Sequence, residues 1–164
     1  MAVFEILKYP DPRLTRIAAP VTPADYAALR RFIDDLAETM YVAHGLGLAA
    51  PQVGRLIRVF VVELAAGPVG FVNPTIEYTS AERSDFSEGC LSMPGVTEHL
   101  GRSAVVSVSR IDIVTGARVT ESFTGMEAVA VQHENDHLDG VLIRDRLSPL
   151  KRRLMDREYA KRRR

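Results

Sequence analysis

The segment that most constrains how this chain can fold runs from Val131 to Gly140 and reads Val-Gln-His-Glu-Asn-Asp-His-Leu-Asp-Gly. Residues four apart on a helix share a face, so His133 and His137 can present two imidazoles to one metal ion with Glu134 beside them. The flanks predict that helix. Thr124 and Glu127 have capping-box spacing, Met126, Val129 and Ala130 lie on the face of His133, and Gly140 stands where a left-handed C-terminal cap belongs. Packing alone explains such a face poorly, because a buried carboxylate without a partner is costly. The competing reading is a surface helix whose histidine spacing has no chemical role.

The chain around this helix has 164 residues, 46% of them apolar and 26% charged. That fits one domain spanning 1–164, large enough to bury a core without disulfides. No apolar run reaches the length of a membrane span, and the start lacks the pattern of a signal peptide, so a cytoplasmic protein is expected. Net charge is zero but unevenly spread. From Arg144 onward there are 10 Lys or Arg against 3 Asp or Glu, a net of +7, which leaves −7 on residues 1 to 143. A basic tail on an acidic body suits contact with an acidic partner such as RNA, and equally suits a solvated terminal helix.

Thr22 as N-cap, Pro23 at the first helical position, and Tyr26, Leu29, Ile33, Leu36 and Met40 in steps of three and four predict an N-terminal helix ending near Ala43 or His44. Residues 55 to 64 and 69 to 79 read as two strands, with Asn73-Pro74 marking an edge or a bulge. Ser103 to Ile113 and Arg118 to Phe123 flank Thr115-Gly116 and predict a second hairpin. Ser148 and Pro149 open a basic C-terminal helix over about 149–163, with Leu150, Leu154 and Met155 towards the interior. The class expected is α+β: antiparallel or mixed β-sheets packed around a central metal-binding helix, with one helix at each end of the chain.

Two histidines hold a catalytic ion incompletely, since such sites take three protein ligands and keep one position open. An extended motif with a third histidine fails, because Ile143 stands where that histidine should be. Two candidates remain. Glu158 could serve as a glutamate on a later helix, and the single cysteine, Cys90, could serve as a thiolate. Cys90 sits in Glu88-Gly89-Cys90-Leu91-Ser92. A further stretch, Gly45-Leu46-Gly47-Leu48-Ala49-Ala50-Pro51-Gln52, is too poor in polar groups for an ordinary solvated loop; it is either a tight loop on the core or a substrate site with Gln52 as its amide.

The Gly45 to Gln52 stretch, then Glu88 to Ser92, then Gln132-His133-Glu134-Asn135-Asp136-His137, in that order and spacing, resemble the three motifs of the bacterial peptide deformylases. The likeness extends to Pro10-Asp11-Pro12-Arg13-Leu14 and Asp145-Arg146-Leu147-Ser148. It implies that Cys90, His133 and His137 hold one divalent metal ion, usually Fe2+ and replaceable by Ni2+, Co2+ or Zn2+. It also implies a hydrolase that removes the formyl group from the N-formylmethionine of nascent peptides and releases formate. Glu134 would be the general acid–base, with the Gln52 amide and the Leu91 backbone N–H as oxyanion donors. By motif position Leu46, Phe86, Met126 and Val129 would surround the methionine side chain, with Gly47 and Glu88 near the substrate. Arg102 and Asp136 would form a pair that orients a ligand histidine. The family resemblance further suggests a monomer that meets the ribosome through its basic C-terminal helix.

Overall fold

The structure is a computed structural model and describes residues 2–162. In chain order its elements are α1 (Tyr26–Val42), β1 (Gly47–Ala49), β2 (Val59–Leu64), β3 (Gly67–Thr79), β4 (Glu88–Cys90), β5 (Met93–Glu98), β6 (Val105–Ile111), β7 (Arg118–Thr124), α2 (Gly125–Leu138) and α3 (Pro149–Arg162). Val59-Phe60-Val61-Val62 is an unbroken apolar run, and a strand turns successive side chains to opposite faces. Such a strand stays dry only if both faces are covered. Here Val59 and Val61 pack with Leu29, Phe32, Leu36 and Met40 of α1, while Phe60 and Val62 pack with Ala128, Ala130 and Val131 of α2. The sheet is therefore a partition between the two helices.

That sheet has the order β1-β2-β3-β6-β7, and β4-β5 forms a separate hairpin. Every named strand pair is antiparallel, and among the described residues the one parallel contact is an isolated bridge between Ala19 and Ile57. Residues 55 to 58, expected in the first strand, precede it. Asn73-Pro74 makes a bulge on a central strand. Val72 pairs with Ile111 but Thr75 with Ser109, and Asn73, at φ 46°, ties its side-chain amide to both the N–H and C=O of Val21. A proline cannot donate to the ladder, which is why the irregularity falls there.

The capping of α2 differs from expectation at one end and matches it at the other. Thr124 is the N-cap but makes no side-chain capping bond, and the Glu127 carboxylate, instead of closing a capping box, accepts the backbone N–H of Ala65 at 3.0 Å. At the C-terminus Gly140 takes φ 71°, Val141 N–H reaches the Asp136 carbonyl at 2.9 Å, and Gly140 N–H that of His137 at 3.3 Å. This is a Schellman ending. A Cβ at Gly140 would lie 2.6 Å from the Thr15 carbonyl oxygen, so the position excludes larger residues twice over.

In α3 the inner stripe is Met155 and Tyr159, buried with Leu14, Cys90, Met93, Val96, Leu142 and Ile143. Leu150 and Leu154, expected inside, are 61% and 54% exposed. They are four apart like the buried pair, but each residue step turns the helix by about 100°, so a stripe offset by one residue faces solvent.

Candidate metal centre

α2 sets His133 and His137 one turn apart with rings 4.9 Å between centroids, and β4 brings in Cys90 from the other side. His137 Nε2 lies 3.3 Å from Cys90 Sγ and 3.2 Å from His133 Nε2, and the three donor atoms fall within 4.8 Å of one another. With metal–sulfur bonds of about 2.3 Å and metal–nitrogen bonds of about 2.1 Å, neighbouring corners of a tetrahedron are roughly 3.4 to 3.6 Å apart, close to these edges. All three residues are buried, and among the described residues they form the one such donor group. Glu158, the other candidate third ligand, is exposed on α3 and paired with Arg162 at 2.8 Å.

Charge around the donors is arranged for a cation. Burial disfavours a charged His133, yet its bonds to Cys90 and Glu88 outweigh burial and hold its pKa well above the ordinary value. His137 is pushed well below, by burial first and then by the neighbouring His133 charge. Sulfur and carboxylate thus favour one positive charge between them, whether a proton or a metal ion.

The group that orients His133 is Glu88. Its Oε2 lies 2.6 Å from His133 Nδ1, while Arg102 donates to both carboxylate oxygens, Nε at 2.6 Å and a terminal nitrogen at 2.8 Å. Burial raises the Glu88 pKa, but these two partners more than compensate and the net shift is downward. Arg102 also donates to Asp136 at 2.9 Å, and Asp136 is held from outside by Arg146. The Arg102–Asp136 pair expected from sequence is present, and it acts on the histidine through Glu88. Glu88 lines the cleft as expected, with its carboxylate turned into this network. Since alternate strand residues share a face, the i, i+2 relation of Glu88 and Cys90 carries the signal for that placement.

Glu134 projects beside the donors. Its carboxyl is buried, which pushes its pKa up to about 7 against the lowering effect of His133, and Oε2 has no hydrogen-bond partner among the described residues. A Cβ at Gly47 would stand 2.5 Å from Glu134 Oε1, so glycine there makes room for the carboxylate. Gln52 is fixed through Oε1, which accepts the Ala49 N–H at 2.8 Å, leaving Nε2 3.1 Å from Ser92 Oγ and 3.8 Å from Cys90 Sγ.

These groups open onto a cavity of about 430 Å³. Its lining includes Leu46, Gly47, Gln52, Glu88, Cys90, Leu91, Met126, Val129, His133 and Glu134. Val129 is fully enclosed, whereas Leu46 and Met126 are 52% and 38% exposed and form the rim. Phe86, expected around the methionine side chain, is not in the lining; the loop before β4 leaves it exposed beside Gly125. Sequence reasoning also missed Ser92, Arg146 and Lys8. Lys8 donates through Nζ to the Leu91 carbonyl at 2.6 Å, a contact 83 residues away in sequence.

A His-Glu-x-x-His helix, a cysteine sulfur from a facing strand and a buried carboxyl group at the mouth of a cleft define a mononuclear metal-dependent hydrolase. Comparison with known proteins narrows the class. The family described as polypeptide deformylase matches residues 3–153. A peptide deformylase of Cellvibrio japonicus is 44% identical over 155 residues, covering 93% of this chain and 90% of that protein. Among solved structures, the Thermotoga maritima peptide deformylase superposes with a TM-score of 0.85 at 41% identity, over 91% of this chain and all of that one. The Ehrlichia chaffeensis enzyme in complex with actinonin superposes with a TM-score of 0.90 at 34% identity, over 99% and 98%. The chain belongs to the polypeptide deformylase family, whose members are metal-dependent enzymes that remove the N-terminal formyl group from newly made polypeptides.

Proposed function

We propose that residues 1–164 form one catalytic unit, in which Cys90, His133 and His137 hold one divalent ion and the adjoining cleft hydrolyses the formyl amide of N-formylmethionyl nascent chains. Fe2+ is the proposed physiological ion, with Zn2+, Ni2+ or Co2+ able to replace it. When bound, such an ion would act as a Lewis acid and make water a competent nucleophile near neutral pH. Glu134 takes a proton from the attacking water as oxygen bonds to the formyl carbon. It returns that proton to the nitrogen as the C–N bond breaks, yielding formate and a free amino terminus. The Gln52 Nε2–H and the Leu91 backbone N–H donate to the oxygen on which negative charge develops. Fixation of Gln52 by Ala49 supports this assignment, because an amide already oriented loses little freedom when it binds. Arg102 and Asp136 act at one remove, holding Glu88 and through it His133.

Leu46, Met126 and Val129 supply apolar surface for the methionine side chain, with Phe86 outside that wall. The free edge of β1, which ends the five-stranded sheet, adjoins the same cleft and suits an extended peptide backbone. On α3, Lys151, Arg152, Arg153, Arg157 and Lys161 are exposed, and Arg153, Arg157 and Lys161 make no ion pair among the described residues. This supports a salt-dependent association with the ribosome. We read the protein as a cytoplasmic monomer; no helix among the described residues is long and apolar enough to cross a membrane.

The observation that carries the reading is the buried Glu134 carboxylate, one oxygen unpartnered, beside three converging metal donors. Formate release from formyl-Met-Ala-Ser tests it. Glu134→Ala should retain the ion and lose about 10²- to 10⁴-fold in rate. Equal rates would remove Glu134 from the mechanism.

A further inference from the structure

α2 separates two hollows. One face carries Val129, His133 and Glu134 to the cleft, and another carries Gln132, Asn135, Asp136 and Asp139 to a second, mostly polar concavity of about 610 Å³. Three guanidiniums, those of Arg83, Arg102 and Arg146, reach its wall. Their partners leave a surplus of positive charge. Asp139 is taken by Arg58 at 2.8 Å. Asp136 is shared by Arg102 and Arg146, and Arg102 is completed by Glu88. Arg83 touches only the Ser103 hydroxyl, at 3.2 Å, and meets no carboxylate among the described residues. Arg146 is half exposed and bonds Asp136 through Nε and one terminal nitrogen, so its other terminal nitrogen is left to solvent.

We propose that this second hollow binds a phosphate dianion, held between Arg83 and Arg146. Each guanidinium offers parallel N–H groups that match a pair of oxygens. A carboxylate has two oxygens and can satisfy one such fork. A phosphate has enough oxygens to span two forks arriving from different segments, here the loop before β4 and the segment after α2. The floor of the hollow is Arg102 and Asp136, so a bound anion rests against the charge network that ends on His133. The site stands independently of the reaction assigned to the cleft.

The test is titration of inorganic phosphate into the zinc-loaded full chain, followed by calorimetry and by amide NMR shifts. Saturable binding is expected, with shifts at Gly101, Ser103 and Asn135, and acetate should bind at least about tenfold more weakly. Arg83→Gln should weaken phosphate binding about tenfold or more, the loss of one charge-assisted contact, and Arg83→Glu should abolish it. Arg83 is exposed and bonded to one hydroxyl, so both variants should fold and keep the hydrolytic rate of the parent. No saturation, unchanged affinity in Arg83→Gln, or shifts confined to Gly45, Gly47 and Leu91 would each overturn the proposal.

Discussion

α2 and α3 are both fourteen residues long, but α2 carries three Asp or Glu and no Lys or Arg where α3 carries eight charged residues, and α2 buries nine of its residues against two in α3. Composition begins the separation, and the partners of the polar residues complete it. In α2 the polar side chains turned inward meet counterparts from elsewhere: His133 meets Glu88, Asp136 meets Arg102 and Arg146, and Gln132 meets the Ser103 backbone. In α3 only Met155 and Tyr159 turn inward, and its ion pairs form at the surface, Lys151 with Glu98, Arg152 with Asp145, Asp156 with Arg144 and Glu158 with Arg162. Polar residues of a helix can thus enter the core when their partners are buried with them, as Glu88 and Arg102 are, and stay outside when the pairs form at the surface. Among the described residues three buried side-chain atoms of α2 lack a partner, Glu134 Oε2, Asn135 Oδ1 and His137 Nδ1. Glu134 is the group to which we give the proton transfer.

Substitutions should divide along the same line. The largest effect is expected for His137→Ala, which removes a donor from the middle of the cluster: metal content and formate release should both fall to background. Arg102→Leu comes next. It leaves Glu88 and Asp136 buried beside each other with one cation fewer, and breaking a buried ion pair costs about 3 to 5 kcal/mol. Metal affinity should drop about 10- to 100-fold as His133 loses its support. Denaturant titration and metal competition would measure the two effects, and unchanged metal affinity would dissolve the claimed link from Arg102 to the centre.

On α3, Met155→Ala should cost about 2 to 5 kcal/mol, whereas Arg157→Ala should stay within about 0.5 kcal/mol. If both cost the same, the division between inner and outer faces is wrong. Charge reversal at Arg153, Arg157 and Lys161 is a sharper probe of ribosome association than deleting the helix, because deletion would also strip Met155 and Tyr159 from the cluster that holds Cys90. The smallest effect concerns acid. The bond from Arg144 holds the Asp156 carboxyl below the usual carboxylate range, so its contribution is full above the ordinary value of about 4 and is lost as pH falls through the depressed one. The protection factors of α3 amides, taken relative to the intrinsic exchange rate at each pH, should therefore fall in acid, and Asp156→Asn should flatten that dependence.

The sequence made some of this legible and hid the rest for physical reasons. His133 and His137 declare themselves because helix periodicity is local, and the Gly140 cap does so because a left-handed backbone selects glycine. The β-branched run at Val59 announces a strand but not that both its faces are covered. Cys90 is favoured over Glu158 in the sequence by its motif and by the basic, solvated setting of Glu158, but its approach to the histidines is a tertiary contact of β4 with α2 that no local pattern shows. The Glu88–Arg102–Asp136–Arg146 network joins residues up to 34 apart, a separation for which no periodic signal exists. Leu150 and Leu154 were misread because two offset stripes on one short helix look alike until the neighbouring hairpin selects one of them.

The convergence of one sulfur and two imidazoles on a single ion is most directly tested by counting metal atoms per chain in wild type and Cys90→Ala, purified anaerobically and dialysed side by side. We predict close to one ion per chain in the wild type and little in the variant. Equal retention by the two would contradict the three-donor centre and with it the chemistry assigned to the cleft.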